Sequence, residues 1–233
     1  MFFSTRDWEV IDNLRIDKYY TLVRIFVREA LAFCRVPADK ASDGPPTKKK
    51  MKRKNKKGSP SEDEESAPTH MEADDGASTA QVWDLGLLGA MSDVMEEEVL
   101  TFHPGPIGLR LHLADVWAEE ACNAGGEDMP TEAFLVALAP WLRVAAHPGT
   151  NAVVFRRTFE GIFEGLLEYF PERDGGDDPM DQEEEGEKKV FRMVELDQVQ
   201  ACLFEVAAAP QTREKRRTQM YAIHRRYQKR TGI

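Results

Sequence analysis

From Ile16 to Cys34 the chain places apolar residues at helical spacing: Ile16, Tyr19/Tyr20, Val23, Phe26/Val27, Ala30/Leu31 and Cys34, with no Gly or Pro among them. A stripe recurring at i, i+3/i+4 and i+7 for about five turns specifies an amphipathic helix and excludes a strand, whose faces alternate every second residue. At roughly 100° per residue, Arg24, Arg28 and Arg35 project within about 40° of one another, beside the stripe. They read either as the solvated edge of a core-facing helix or as a basic contact edge.

The same period returns further along. Val82-Trp83, Leu85, Leu87-Leu88, Met91, Val94-Met95 and Val99-Leu100 predict a helix, weakened by Gly86 and Gly89, each costing about 1 kcal/mol against Ala. His103-Pro104-Gly105-Pro106 is a turn. Ile107 to Ala124 predicts a helix closed by Gly125-Gly126. Thr131 opens the next after Pro130, and Pro140 should kink or limit it. Asn151 can cap a further helix, whose Val154-Phe155, Phe159, Ile162-Phe163, Leu166-Leu167 and Phe170 make the densest apolar face. Phe191, Val194, Leu196, Val199, Cys202-Leu203 and Val206 fit one helix between Lys189 and Ala209, and a thin apolar seam runs through Gln211 to Arg230. Helices joined by short turns, with no alternating strand pattern, predict an all-α fold: a helical repeat (a HEAT-like α-solenoid) or an irregular helical bundle.

Two stretches interrupt this pattern. Residues 37–80 and 172–188 are rich in Lys, Asp, Glu, Ser, Pro and Gly and almost free of large apolar residues. Such segments cannot bury enough surface to offset their ordering entropy, so both are expected to be disordered inserts. The chain thus divides into a helical segment (1–36), a charged insert (37–80), a helical body (81–171), an acidic insert (172–188) and C-terminal helices with a basic end (189–233). The net charge of −10 averages over blocks of opposite sign. Lys48, Lys49, Lys50, Lys52, Arg53, Lys54, Lys56 and Lys57 form a run that reads as a nuclear localisation signal or an RNA-attracting tract, or else as a solvated linker. Seven acids lie between Glu62 and Asp75, and nine between Glu172 and Glu187. Ser59-Pro60 and Ser61, ahead of Glu62, look like kinase acceptors that would add negative charge beside the basic run. No apolar run approaches the ~18–20 residues that span a bilayer. Cys34, Cys122 and Cys202 are widely spaced, include no CxxC pair, and read as reduced thiols.

No catalytic constellation emerges. His70, His103, His112, His147 and His224 lie in different segments without HxxxH or HExxH spacing, and there is no phosphate-binding glycine loop and no Gly-x-Ser-x-Gly elbow. The acidic run lacks the Gly and carboxylate spacing of a calcium loop. No metal, cofactor or small-molecule substrate is expected. Nucleic-acid binding has better support. Arg213 to Arg230 carries eight basic residues against one acid, Glu214, with Tyr221, His224 and Tyr227 interleaved. Phosphate contacts would supply salt-dependent affinity and the aromatics could stack on unpaired bases. Alternatively, the tyrosines pack inward and the arginines are merely solvated. Arg24, Arg28, Arg213, Arg216, Arg217, Arg225, Arg226 and Tyr227 are the candidate RNA or partner contacts. Glu96-Glu97-Glu98, Glu119-Glu120 and Glu127-Asp128 make the body acidic and better suited to basic protein factors.

The wording of the first stretch is also specific. Trp8, Ile11-Asp12, Leu14-Arg15-Ile16-Asp17-Lys18-Tyr19-Tyr20 and Leu22-Val23-Arg24 resemble the signature of the ribosomal RNA processing protein 1 family, the Nop-type nucleolar proteins of eukaryotes. Gly108 to Glu120, Phe155 to Phe170 and Gln211 to Tyr227 are similar to later stretches of that family, in the same order. The resemblance implies a non-enzymatic scaffold of the nucleus and nucleolus. It would act in pre-rRNA processing and ribosome biogenesis, chiefly on large-subunit rRNA, with precursor rRNA, pre-ribosomal particles and assembly factors as partners and no membrane. It also implies further helices ahead of Trp8, so the chain would be a shortened form, expected to expose apolar surface, bind hydrophobic dye and aggregate. A different reading of the same charge blocks is an acidic nuclear chaperone or transport adaptor for basic clients such as histones or ribosomal proteins.

Overall fold

The computed structural model describes residues 13–38, 81–100, 107–171 and 189–231. Helix α1 (Asn13–Phe33) is the predicted amphipathic helix, begun a few residues earlier. Its Val27 and Leu31, and Cys34 just beyond, are buried, and it packs on α3 (Ile107–Gly125). The chain then forms a short strand, β1 (Arg35–Pro37), paired antiparallel with β2 (Gln81–Trp83), Val36 opposite Val82. This pairing departs from the expectation that helix resumes at Val82. Asp84 starts α2 (Leu85–Val94) instead, its carboxylate accepting from the Gly86 and Leu87 amides at 2.9 and 3.0 Å. That side chain satisfies two of the orphan N–H groups at the helix start. A wider π-type segment, Met95–Leu100, continues α2, and Arg110 donates to its Val99 carbonyl at 3.0 Å.

Helix α4 (Thr131–Ala146) passes through Pro140, which is buried and does not end it. Helix α5 (Ala152–Thr158) is capped by Asn151, as the sequence predicts, and runs on as a π-type segment to Glu164 and a tighter 3-10 turn to Tyr169. Residues 189–195 are not helical, contrary to the single helix expected from Lys189. Phe191 N–H donates to the Tyr169 carbonyl at 2.8 Å and Arg192 N–H to Gly126 at 3.0 Å. Thr131 Oγ1 donates to the Met193 carbonyl and accepts from the Glu195 amide. These tertiary bonds satisfy the backbone locally and delay α6 to Leu196–Ala208; α7 follows at Glu214–Thr231.

Two three-residue strands aside, the described residues are all α. Helix α3 packs against α1 and against α5 with its π extension; α4 packs against α2 and α6; α6 packs on α7. Between them lies one hydrophobic core. Its aromatic centre joins Trp117 of α3 to Trp141 of α4 (ring centroids 6.2 Å) and Phe134 to Phe191 (4.8 Å) and Phe170 (6.1 Å). Each such fully buried side chain contributes about 1.5–3 kcal/mol through the apolar area it removes from water. This core fixes the frame on which α6 and α7 present their outer surfaces.

Candidate nucleic-acid interface

Helix α7 divides cleanly by spacing. Arg216, Met220, Ile223 and Tyr227, at i, i+4, i+7 and i+11, are buried. Lys215, Thr218, Ala222, Arg225, Arg226 and Lys229 lie on the other side and are exposed, as is Arg213 just before the helix. Arg213, Lys215, Arg225 and Lys229 make no ion pair with any described residue. They form a line of cations along the outer face of one helix, a pattern that can follow a phosphate backbone.

The predicted contact residues therefore separate. Tyr227 has 0% of its surface exposed, and its hydroxyl donates to the Phe163 carbonyl at 2.8 Å. Burial pushes its phenol far above the usual range. It is a core residue and stacks on no base, a correction to the expectation. Arg216 is also withdrawn from the surface. Its guanidinium donates to the His147 carbonyl at 2.6 Å and to the Thr150 carbonyl, and lies 4.8 Å from the Phe155 ring centre. Burial, then the neighbouring Arg213, lowers its pKa. Arg217 donates to the Ala209 and Thr212 carbonyls, each at 3.3 Å, tying the α6–α7 turn. Arg226 pairs with Glu164. On α1, Arg24 pairs with Glu119 and donates to Glu120 at 2.7 Å. The Glu120 hydrogen bond is the largest influence raising the Arg24 pKa. Among the described residues, Arg28 makes only a long contact, 3.4 Å, with adjacent Glu29. The run from Lys48 to Lys57 lies outside the described residues.

The acidic body is largely engaged with its own arginines. Besides Arg24, Arg35 pairs with Asp128, Arg143 with Glu96 and Arg157 with Asp115. Each of these pairs is partly exposed and is worth about 0–1 kcal/mol. Together they leave less negative surface than composition alone implies. The sequence pattern does not single out Lys215, Lys229 or Phe204, although Phe204 stands off the apolar stripe of α6, which is the signal that could have marked it. Among the described residues no cluster of His, Cys, Asp and Glu could hold a metal, and no helix is long and apolar enough to cross a membrane.

A family profile described as "Nucleolar protein, Nop52" matches residues 1–43 and 76–224, most of the chain. The chain belongs to the Nop52 family. Residues 44–75 of the chain lie outside the Nop52 match, within the stretch 37–80, and the match stops at His224, inside α7. Among similar Nop52 relatives, ribosomal RNA processing protein 1 homolog B of Mus musculus is 23% identical over 164 residues, 70% of this chain and 16% of that protein. Homolog B of Homo sapiens is 23% identical over 71% of this chain and 16% of its own length. Homolog A of Homo sapiens is 22% identical over 71% of this chain and 26% of its own. The chain thus matches only a minor part of these longer relatives.

Proposed function

We propose that this Nop52-family chain acts in ribosomal RNA processing and ribosome biogenesis in the nucleolus, as a scaffold rather than as the enzyme that cuts or trims RNA. The observation that carries the RNA contact is the row Arg213, Lys215, Arg225 and Lys229, exposed and unpaired with any described residue on and beside α7. Family membership and the names of the relatives support the process. In this reading α7 holds precursor rRNA through its phosphates, and the tract from Lys48 to Lys57 adds electrostatic reach and the nuclear address. The helical body docks assembly factors, chiefly on the path to the large subunit.

The test is affinity purification of the chain with sequencing of bound RNA and identification of bound proteins. Precursor rRNA and assembly factors should be recovered. Neutralising Arg213, Lys215, Arg225 and Lys229 together should remove the RNA while leaving the fold intact. If RNA recovery is unchanged by that variant, and basic proteins are instead lost when 174–187 is deleted, the chaperone reading replaces this one.

A further inference from the structure

We infer that Phe204, Tyr221 and His224 form a stacking platform for an unpaired RNA base, with Arg225 and Lys229 holding the adjoining phosphates. This rests on the RNA reading of α7 and specifies its ligand as single-stranded rather than duplex RNA. Phe204 is 47% exposed, although it sits in the middle of α6, a helix whose Val199, Leu203 and Ala207 are fully buried. It stands about 100° round the helix from Leu203, on the flank beside α7. There its ring centre lies 5.7 Å from Tyr221 and 5.4 Å from His224, tilted by 53° and 51°. The His224 ring is held in turn by Gln200, 3.1 Å from its Nε2. Three aromatic rings from two packed helices are thus fixed together while nearly half of Phe204 stays open to solvent.

The charge beside the platform is positive. Arg225 follows His224 directly, and Lys229 is one turn on, about 6 Å further along the axis. Both are exposed. Of the acids around it, Glu164 is paired with Arg226, and Asp197, exposed on the same side of α6 as Phe204, lies about 10 Å along that helix. Glu205 lies another ~100° round α6 from Phe204, and Glu214 about 10 Å along α7 from Tyr221, roughly one Debye length. An open aromatic surface next to free cations suits a nucleic acid better than an apolar peptide. Stacking requires a base face not already covered by its neighbours, which selects unpaired RNA.

The test uses the full chain with a short fluorescein-labelled single-stranded RNA and the blunt duplex of the same sequence, titrated across salt concentrations. Phe204→Leu keeps apolar volume and removes the ring. It should weaken single-strand binding on the order of tenfold, leaving duplex affinity, salt slope and melting temperature unchanged. Arg225→Gln with Lys229→Gln should weaken both RNAs and reduce the single-strand salt slope by about 1.4. Ultraviolet cross-links from the single strand should map to peptides containing Phe204 or Tyr221. Parental single-strand affinity in Phe204→Leu, an equal loss for duplex, or cross-links only elsewhere would overturn the platform while the electrostatic role of α7 stands. A parent chain that binds neither RNA at low salt removes the RNA reading, and the platform with it.

Discussion

Arg216 and Arg225 share a helix and differ in what surrounds them. Arg216 is buried without a carboxylate partner, its charge met by two carbonyls and the Phe155 ring, whereas Arg225 is exposed. Arg216→Ala would take a donor from the Thr150 carbonyl and leave the His147 carbonyl only the Thr150 N–H at 3.2 Å, and should lower stability by about 1–3 kcal/mol in urea unfolding. Arg225→Ala should stay within about 0.5 kcal/mol. That contrast separates a structural arginine from one left exposed for the proposed RNA contact. His112 offers a pH-dependent counterpart. Burial lowers its pKa, outweighing the Tyr20 carbonyl 3.1 Å away and nearby Asp115, both of which favour the cation; Arg24 adds to the lowering. In the unfolded chain His112 titrates near 6.5, so below that pH the unfolded state binds the extra proton first. Its contribution is therefore complete above about pH 6.5 and declines as pH falls toward the depressed folded value. His112→Gln should flatten this part of the stability–pH curve, measured by thermal melts from neutral pH downward. No flattening would mean that His112 does not govern that slope.

Between α3 and the π-type extension of α5 the backbones come close enough that only glycine fits. A Cβ at Gly161 would lie 2.4 Å from the Ala114 carbonyl oxygen, a backbone atom that cannot swing aside. Gly161→Ala should therefore destabilise by about 1–3 kcal/mol, read as a lowered melting temperature, despite Ala's better helix propensity. Helix α1 shows the opposite condition, a side with too little packing. Phe26 and Phe33 are 71% and 73% exposed, with Leu22 and Ile25 on the same side. A contiguous apolar strip of this kind binds hydrophobic dye and promotes association. Replacing Phe26 and Phe33 by Gln should reduce dye fluorescence and light scattering without lowering the melting temperature. The helices were legible because their stripes are local: Val27/Leu31 and Met220/Ile223/Tyr227 announce buried faces by spacing alone. The same spacing already placed Tyr227 in the seam with Met220 and Ile223, so its burial could have been read beforehand. The β1–β2 pairing was not legible, because its partners Val36 and Val82 are joined only across the first insert. Nor was the non-helical run 189–195, bent at Arg192 and Met193, whose backbone bonds go to Gly126, Thr131 and Tyr169. Phe204 was missed because an off-stripe aromatic matters only once a second helix lies beside it.

For the whole molecule, a chain of net charge −10 could bind RNA only through a local field, since its average charge repels phosphate. Association should consequently be more salt-sensitive than for an uncharged stacking site, and the dependence should weaken when the cations of α7 are neutralised, the Lys48–Lys57 tract keeping the remainder. The strand pair adds a different consequence. Where the first insert leaves and re-enters, Pro37 is held opposite Gln81, Asp84 N–H donates to the Cys34 carbonyl at 2.8 Å, and Arg35 is fastened to Asp128 beside the Trp83 ring. The ends of the insert are thus tied by the fold itself, and the entropy of closing the segment between them grows only slowly with its length. The first helix is in effect a separate piece docked onto the rest. A site-specific protease sequence engineered between Lys57 and Gly58 would cut the chain in two, and the halves should still co-elute as one particle. In that outcome the interface of α1 and β1 with the body holds the halves together, and the covalent connection between residues 38 and 81 is dispensable once it has formed.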